Sequence, residues 1–259
     1  MTDISLDVNT APVALVTGAS SGIGAETANA LIKQGWVVAA VARRRELLEK
    51  RKLECSNPDA YLPLPCDLTS NAQLEGLRLK LEALGVLPRL KGLVNNAGIF
   101  SRASFAETTD NQWHSLFETN FFSCVRLTRL LLPALIGSKG SIVNVSSTLG
   151  LRPMPTTLAY SASKAAMISW SAGLASELGP SGVRVNCVAP GLVDTPIHSF
   201  HSAPPDQADA AREAMKGLQP LGRIGQPSEI AEAIAFLLGS KSSWTTGAVL
   251  PVDGGIQLV

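Results

Sequence analysis

Short, nearly unbroken apolar runs alternate along the chain with longer stretches in which apolar residues recur every three or four positions. Val13–Val16, Val37–Val41, Gly92–Asn95, Ser141–Ser146, Val183–Val188 and Ala248–Val252 read as strands. Gly22–Gln34, a charged stretch from Arg44, Ser70–Leu84, Asp110–Ile136, Thr157–Leu178 and Pro227–Leu238 read as helices. Apolar strands that each lead into a helix predict an α/β fold, with a parallel sheet covered on both faces. A further strand run, Ala60–Cys66, contains Pro63 and Pro65. Proline cannot donate to an inner ladder, so this third strand is expected at a sheet edge, where the doubly wound order 3-2-1-4-5-6 puts it. Residues 191–218 lose the period, with Pro196, Pro204 and Pro205 among polar residues.

Composition narrows the class. The 259 residues contain no Ser/Gly-rich linker, charge block or repeat, so one domain over 1–259 is expected. With 46% hydrophobic and 17% charged residues, the chain suits a globular enzyme and not a disordered segment. A formal charge of +1 gives no strong field for nucleic acid or an acidic membrane. Cys55, Cys66, Cys124 and Cys187 lack CxxC spacing, which suits reduced thiols in a cytoplasm and predicts no metal site. Residues 1–12 carry no signal-peptide pattern. The apolar run Leu127–Ile136 is broken by Arg129 and Pro133 and reads as too short for a bilayer. A cytoplasmic protein without membrane or nucleic-acid partners is expected.

Chemistry enters at "TGASSGIG", residues 17–24, directly after the first strand. A strand, a glycine turn and a helix starting near Gly22 make an anion site, because the first helical N–H groups point outward and the dipole adds positive potential. The spacing of Gly18, Gly22 and Gly24 is GxxxGxG, not GxGxxG. A turn chosen only for helix–strand packing is the plainer alternative.

Other motifs decide between them. "NNAG" at 95–98 follows the fourth strand, "NVSS" at 144–147 ends the fifth, and "YSASK" at 160–164 opens a helix. "PG" at 190–191 follows the sixth strand, and "TGAVLPVDGG" at 246–255 lies near the end. With the glycine turn, this set resembles the classical short-chain dehydrogenase/reductase family in order and spacing over nearly the whole chain. The resemblance implies a single Rossmann-type domain with a doubly wound, seven-stranded parallel sheet and a bound nicotinamide dinucleotide. It implies coenzyme contacts from Gly18, Ser20, Ser21, Gly22, Ile23 and Gly24 in the turn, and from Asp67 and Leu68 at the adenine. Asn95, Ala97 and Gly98 should line the groove, with Pro190, Gly191, Val193 and Thr195 toward the phosphate or carboxamide end.

The end of the second strand should meet the adenosine ribose, where an acidic residue would repel a 2′-phosphate. That position is Ala42, followed by Arg43, Arg44 and Arg45. Guanidinium grips a phosphate monoester bidentately, so NADP(H) is predicted over NAD(H), with Arg43 leading and Arg44 second. The same arginines also suit a solvated helix start paired with Glu46 and Glu49.

Tyr160 and Lys164, four positions apart on a helix, share one face. A phenol of pKa about 10 is only about 0.1% ionised at neutral pH, and a nearby ammonium favours the phenolate. The resemblance makes Tyr160 the proton donor in carbonyl reduction and the base in reverse, with Lys164 also holding the nicotinamide ribose. Adjacent strand side chains face opposite ways, so only one of Ser146 and Ser147 should enter the site. The family's spacing of thirteen to the tyrosine selects Ser147, which would hold the substrate oxygen. Asn120, in "ETNFFS", matches the helix asparagine that in relatives stabilises a water joining the lysine to solvent. His198 and His201 are read as loop residues.

Ile99, Phe100, Leu149, Leu151, Leu192 and Phe200 suggest a mainly apolar pocket, hence a medium-sized ketone or its alcohol. The stretch 192–218 is long for a connector and reads as a substrate lid. The expectation is an NADPH-dependent carbonyl reductase. Alternatives are reduction of 3-oxoacyl groups on an acyl carrier protein, with Arg126 and Arg129 meeting the acidic carrier, and a dinucleotide-binding sensor without catalysis. The resemblance further implies a homotetramer.

Overall fold

The computed structural model describes residues 7–198 and 204–259. Seven strands occur in it: β1 (Val13–Thr17), β2 (Val37–Ala42), β3 (Tyr61–Pro65), β4 (Leu90–Asn95), β5 (Ser141–Val145), β6 (Arg184–Pro190) and β7 (Val249–Val252). They form one parallel sheet in the order β3-β2-β1-β4-β5-β6-β7. The proline-bearing β3 pairs only with β2 and occupies the edge, as a strand short of two donors must. All of β1 and β5 is buried, which is why neither run shows polar alternation.

The helices are α1 (Gly22–Lys33), α2 (Arg45–Glu54), α3 (Asn71–Ala83), α4 (Asp110–Phe117), α5 (Ser123–Ser138), α6 (Leu158–Leu178), α7 (Pro205–Lys216) and α8 (Pro227–Leu238). They flank the sheet in layers: α1 packs on α8, which lies over β4, β5 and β6, while α5 packs on β4 and α6 on β5 and β6. Because β1 has β2 on one side and β4 on the other, the connections leaving their ends diverge and open a crevice. Thr17 fastens its floor: its Oγ1 donates to Val94 O (3.2 Å) and accepts from the N–H groups of Asn96 and Ala97, each at 2.9 Å.

Two segments differ from the sequence reading. The expected helix over Asp110–Ile136 is α4 and α5 joined by a π-helical turn, Glu118–Phe122. Such a turn inserts a residue into the helical repeat and re-aims the side chains around it. The whole stretch Asp110–Ser138 has the length and a hydropathy of 1.3 that would suffice to cross a membrane, so it exceeds the short run expected. In the fold it is a layer helix, and its Leu127, Leu131 and Leu135 are buried in the core. Within the aperiodic 191–218 stretch lies α7, with Pro205 at its first position, where proline suits a helix start.

Candidate active site

The glycine turn does two separate jobs. Gly18 and Gly22 lie at φ +67° and +56°, conformations that other residues rarely adopt. Gly24 answers to space instead, since a Cβ there would stand 2.4 Å from Gly18 O and 2.5 Å from Asn96 Nδ2. No side chain caps the first turn of α1 and no acidic residue lies in it, so its N–H groups face the crevice without protein acceptors from a cap. That is what an anionic pyrophosphate requires. Arg44 reaches from the end of β2 to the same turn, donating to Ser20 Oγ (3.1 Å) and Ser21 Oγ (3.2 Å). Opposite, Asp67 accepts from Thr69 N (2.9 Å) and Thr69 Oγ1 (2.8 Å). These bonds, with help from the Arg43 charge, hold its carboxyl below the usual range.

Tyr160 and Lys164 both project from the first turns of α6 and are buried. Burial pushes the Tyr160 phenol up to about 12, with the Ser147 hydroxyl beside it pulling the other way. The same burial lowers Lys164, against the nearby Cys124 and Cys187. Lys164 Nζ donates to Val145 O (2.9 Å) and lies 5.7 Å from the Tyr160 ring centroid. The expected lowering of the phenol by the ammonium is not seen: burial dominates, and the opposing pull comes from Ser147. Of the two serines, Ser147 borders Tyr160, whereas Ser146 Oγ donates to Lys164 O (2.8 Å) and secures α6 to β5.

Asn120, fully buried in the π-turn, bonds the protein on both sides of its amide. Its Oδ1 accepts from Ile99 N (2.8 Å), and its Nδ2 donates to Ile99 O (3.0 Å) and Ser163 Oγ (3.1 Å). Ser163 Oγ in turn donates to Tyr160 O (2.7 Å), so one amide holds the loop after β4 against the helix carrying the tyrosine.

Except for Asn120, which is buried behind the wall, the expected reaction-centre residues border one cavity of about 900 Å³. It runs from Arg43, Arg44, Asp67 and Leu68 past Gly18, Ser20, Ser21, Gly22, Ile23, Ala97 and Gly98 to Tyr160 and Lys164. Pro190, Gly191, Val193 and Thr195 line it as well, and so do Ile99, Phe100, Leu149 and Leu192. Lys164 can donate two more hydrogen bonds into this space, and a Cβ on Gly98 would fill it to 3.5 Å from Lys164 Nζ and 3.2 Å from Asn120 Oδ1. An anion cradle, guanidinium groups and a partly satisfied lysine along one groove fit a phosphorylated dinucleotide.

Besides Asn120, four other expected residues fall elsewhere. Asn95 does not line the groove; it is buried in the sheet, its Nδ2 donating to Asn144 Oδ1 (2.8 Å) and Thr128 Oγ1 (3.1 Å). The next residue, Asn96, reaches the cavity wall and donates to Thr17 O (2.8 Å). Gly24 is a packing position behind the turn, not a lining one. Leu151 is 41% exposed and off the cavity, and Phe200 lies outside the described residues. The sequence reading missed Met154, His198, Met215, Leu218 and Ile256, all on the wall. For Ile256 a signal existed: Gly254 and Gly255, at φ +60° and +88°, turn the chain end back toward the site.

Comparison with known proteins points the same way. A sequence model described as Enoyl-(Acyl carrier protein) reductase matches residues 18–257. The 3-oxoacyl-acyl-carrier-protein reductase FabG of Thermotoga maritima is 35% identical over 248 residues, covering 95% of this chain and 98% of that protein. L-fucose dehydrogenase of Bos taurus is also 35% identical, over 95% and 89% of the two chains. The crystal structure of L-sorbose reductase from Gluconobacter frateurii, complexed with NADPH and L-sorbose, superposes with a TM-score of 0.89 at 26% identity. That match covers 96% of this chain and 98% of the other. The groove, the Ser147–Tyr160–Lys164 grouping and these matches agree: the chain belongs to the short-chain dehydrogenase/reductase family of oxidoreductases.

Proposed function

We propose that this protein reduces a ketone to a secondary alcohol with NADPH, reversibly. The observation that carries the reading is a buried phenol beside Ser147 and Lys164 on the wall of one cavity that Arg43 and Arg44 also line. When bound, the coenzyme supplies the hydride. Ser147 Oγ orients the carbonyl oxygen toward Tyr160, and Lys164 holds the ribose hydroxyls with its remaining donors. As the new C–H bond forms at the carbonyl carbon, the Tyr160 proton passes to the oxygen, and solvent restores it. Asn120 positions Tyr160 through Ile99 and Ser163. Arg43 and Arg44 seat the 2′-phosphate, which NAD(H) lacks.

Tyr160→Phe is the decisive variant. Removing one positioned proton donor is expected to lower kcat by about 10²–10⁴-fold, while NADPH binding followed by fluorescence persists. Unchanged turnover would end this reading.

Reduction of 3-oxoacyl thioesters is the second reading, supported by the name of the Thermotoga relative. Against direct carrier docking at both expected arginines, Arg126 is engaged by Glu118, leaving Arg129 as the exposed one. Turnover of simple ketones, diketones and 3-oxoacyl thioesters with NADPH separates the two, and a sensor without catalysis would turn over none.

A further inference from the structure

We infer that Arg102 selects substrates bearing an oxyanion, a carboxylate or a phosphate, several bonds from the carbonyl that is reduced. This rests on the ketone-reductase reading and names the class of ketone.

The charged residues among the described lining of the cavity are Arg43, Arg44, Asp67, Arg102 and Lys164. Three of them belong to the coenzyme end and Lys164 to the reaction centre, which leaves Arg102 as the charge of the substrate end. It lies in the loop after β4, whose two sides are fixed. On one side, Phe100 packs edge-on against Tyr160, with ring centroids 4.9 Å apart and an interplanar angle of 82°. On the other, Ala103 N donates to Thr156 O (2.9 Å), joining this loop to the one that carries Met154. Arg102 is therefore held within two residues, at most about 7 Å of backbone, of the ring that touches the proton donor.

The surroundings make the charge conspicuous. Phe100, Leu149, Met154, Leu218 and Ile256 line that end with apolar surface. No carboxylate among the described lining residues is there to neutralise it, since the acidic one, Asp67, is at the far end under Arg43. Arg102 is exposed, and no acidic partner engages it in the described structure. Arginine's fork matches carboxylate and phosphate oxygens bidentately, and a low-dielectric wall beside it strengthens the attraction. A neutral ketone would leave the guanidinium with water alone. An oxyanion-bearing one would bridge the apolar wall, its carbonyl at Ser147 and Tyr160 and its charge at the mouth.

The test uses three substrates of one chain length: 5-oxohexanoate, 5-oxohexyl phosphate and the neutral methyl 5-oxohexanoate. With the full-length wild-type protein and saturating NADPH, kcat/KM for at least one anion should exceed that for the ester. The anion favoured identifies carboxylate or phosphate as the source. Arg102→Ala should lower kcat/KM about tenfold more for that anion than for the ester, chiefly through KM, as loss of a charge-assisted pair does. Arg102→Lys should recover part of the loss. Raising salt should shrink the wild-type preference, because an exposed pair is screened. Equal effects of Arg102→Ala on all three substrates, or a wild type that prefers the ester, overturns the proposal and leaves the reductase reading standing. Turnover of none of them by wild type counts against both, and a simple ketone that is still reduced confines the failure to Arg102.

Discussion

The two ends of the cavity are built on different principles. At the coenzyme end the backbone does the shaping: a turn at positive φ, uncapped helical N–H groups, and a glycine packed within 2.5 Å of neighbouring atoms were a Cβ present. At the substrate end side chains from four separated segments meet, and several stay partly in solvent, such as Met154 at 44% and Leu218 at 47%. Backbone shaping leaves no slack and binds an invariant ligand; side chains on loops can be exchanged without disturbing the sheet. One fold thereby keeps its coenzyme while varying its substrate.

The largest expected effect falls where the two ends join. Burial holds the Tyr160 phenol up to about 12, above its ordinary value near 10, so at neutral pH it carries its proton. On the proposed mechanism reduction uses that proton and should vary little with Tyr160 ionisation between pH 6 and 8. Alcohol oxidation needs the phenolate, whose fraction grows about tenfold per pH unit below the pKa, so its kcat/KM should climb about a hundredfold over the same range. Parallel pH profiles in the two directions would show that another group controls the proton.

Next in size is a methyl group at the coenzyme end. Gly24→Ala forces the turn away from Gly18 O, and overpacking of this kind costs about 1–3 kcal/mol, read as a lowered Tm together with weakened coenzyme binding. A variant as stable as wild type would break the contrast between the two ends. A smaller effect belongs to the arginines. Replacing Arg43 and Arg44 with Ala should raise KM for NADPH about tenfold or more, with NADH changed much less. Equal shifts would make those side chains ordinary solvated charges. The smallest expected change in stability is at the substrate end: Leu218→Ala should move it by no more than about 0.5 kcal/mol while altering KM for the ketone.

How legible each end was in the sequence follows from the same contrast. The glycine turn and the Tyr160–Lys164 pair depend on spacing within one turn or one helix, so consecutive letters carry them. Pro63 and Pro65 likewise mark β3 as an edge strand, because a missing N–H is a property of the residue itself. Asn95 and Asn96 show where such reading fails. Both are amides at the end of β4, and which one enters the sheet depends on Asn144 and Thr128, far away in sequence. Nor did periodicity reveal the π-turn at Asn120, since its extra residue shifts a helical pattern without abolishing it.

By itself, then, the sequence determined the strand–helix alternation, the edge position of β3, the anion-binding turn and the serine, tyrosine and lysine of the candidate reaction centre. The first three follow from dihedral preferences, donor counts and short-range periodicity, and the last from a resemblance in the order and spacing of motifs. Only the tertiary structure decided that burial raises the phenol with Ser147 opposing it, that Asn120 clamps Ile99 to α6, and that Met154, Ile256 and Arg102 border one cavity. Burial and the meeting of distant loops are properties of the packed whole, and no local stretch of chain encodes them.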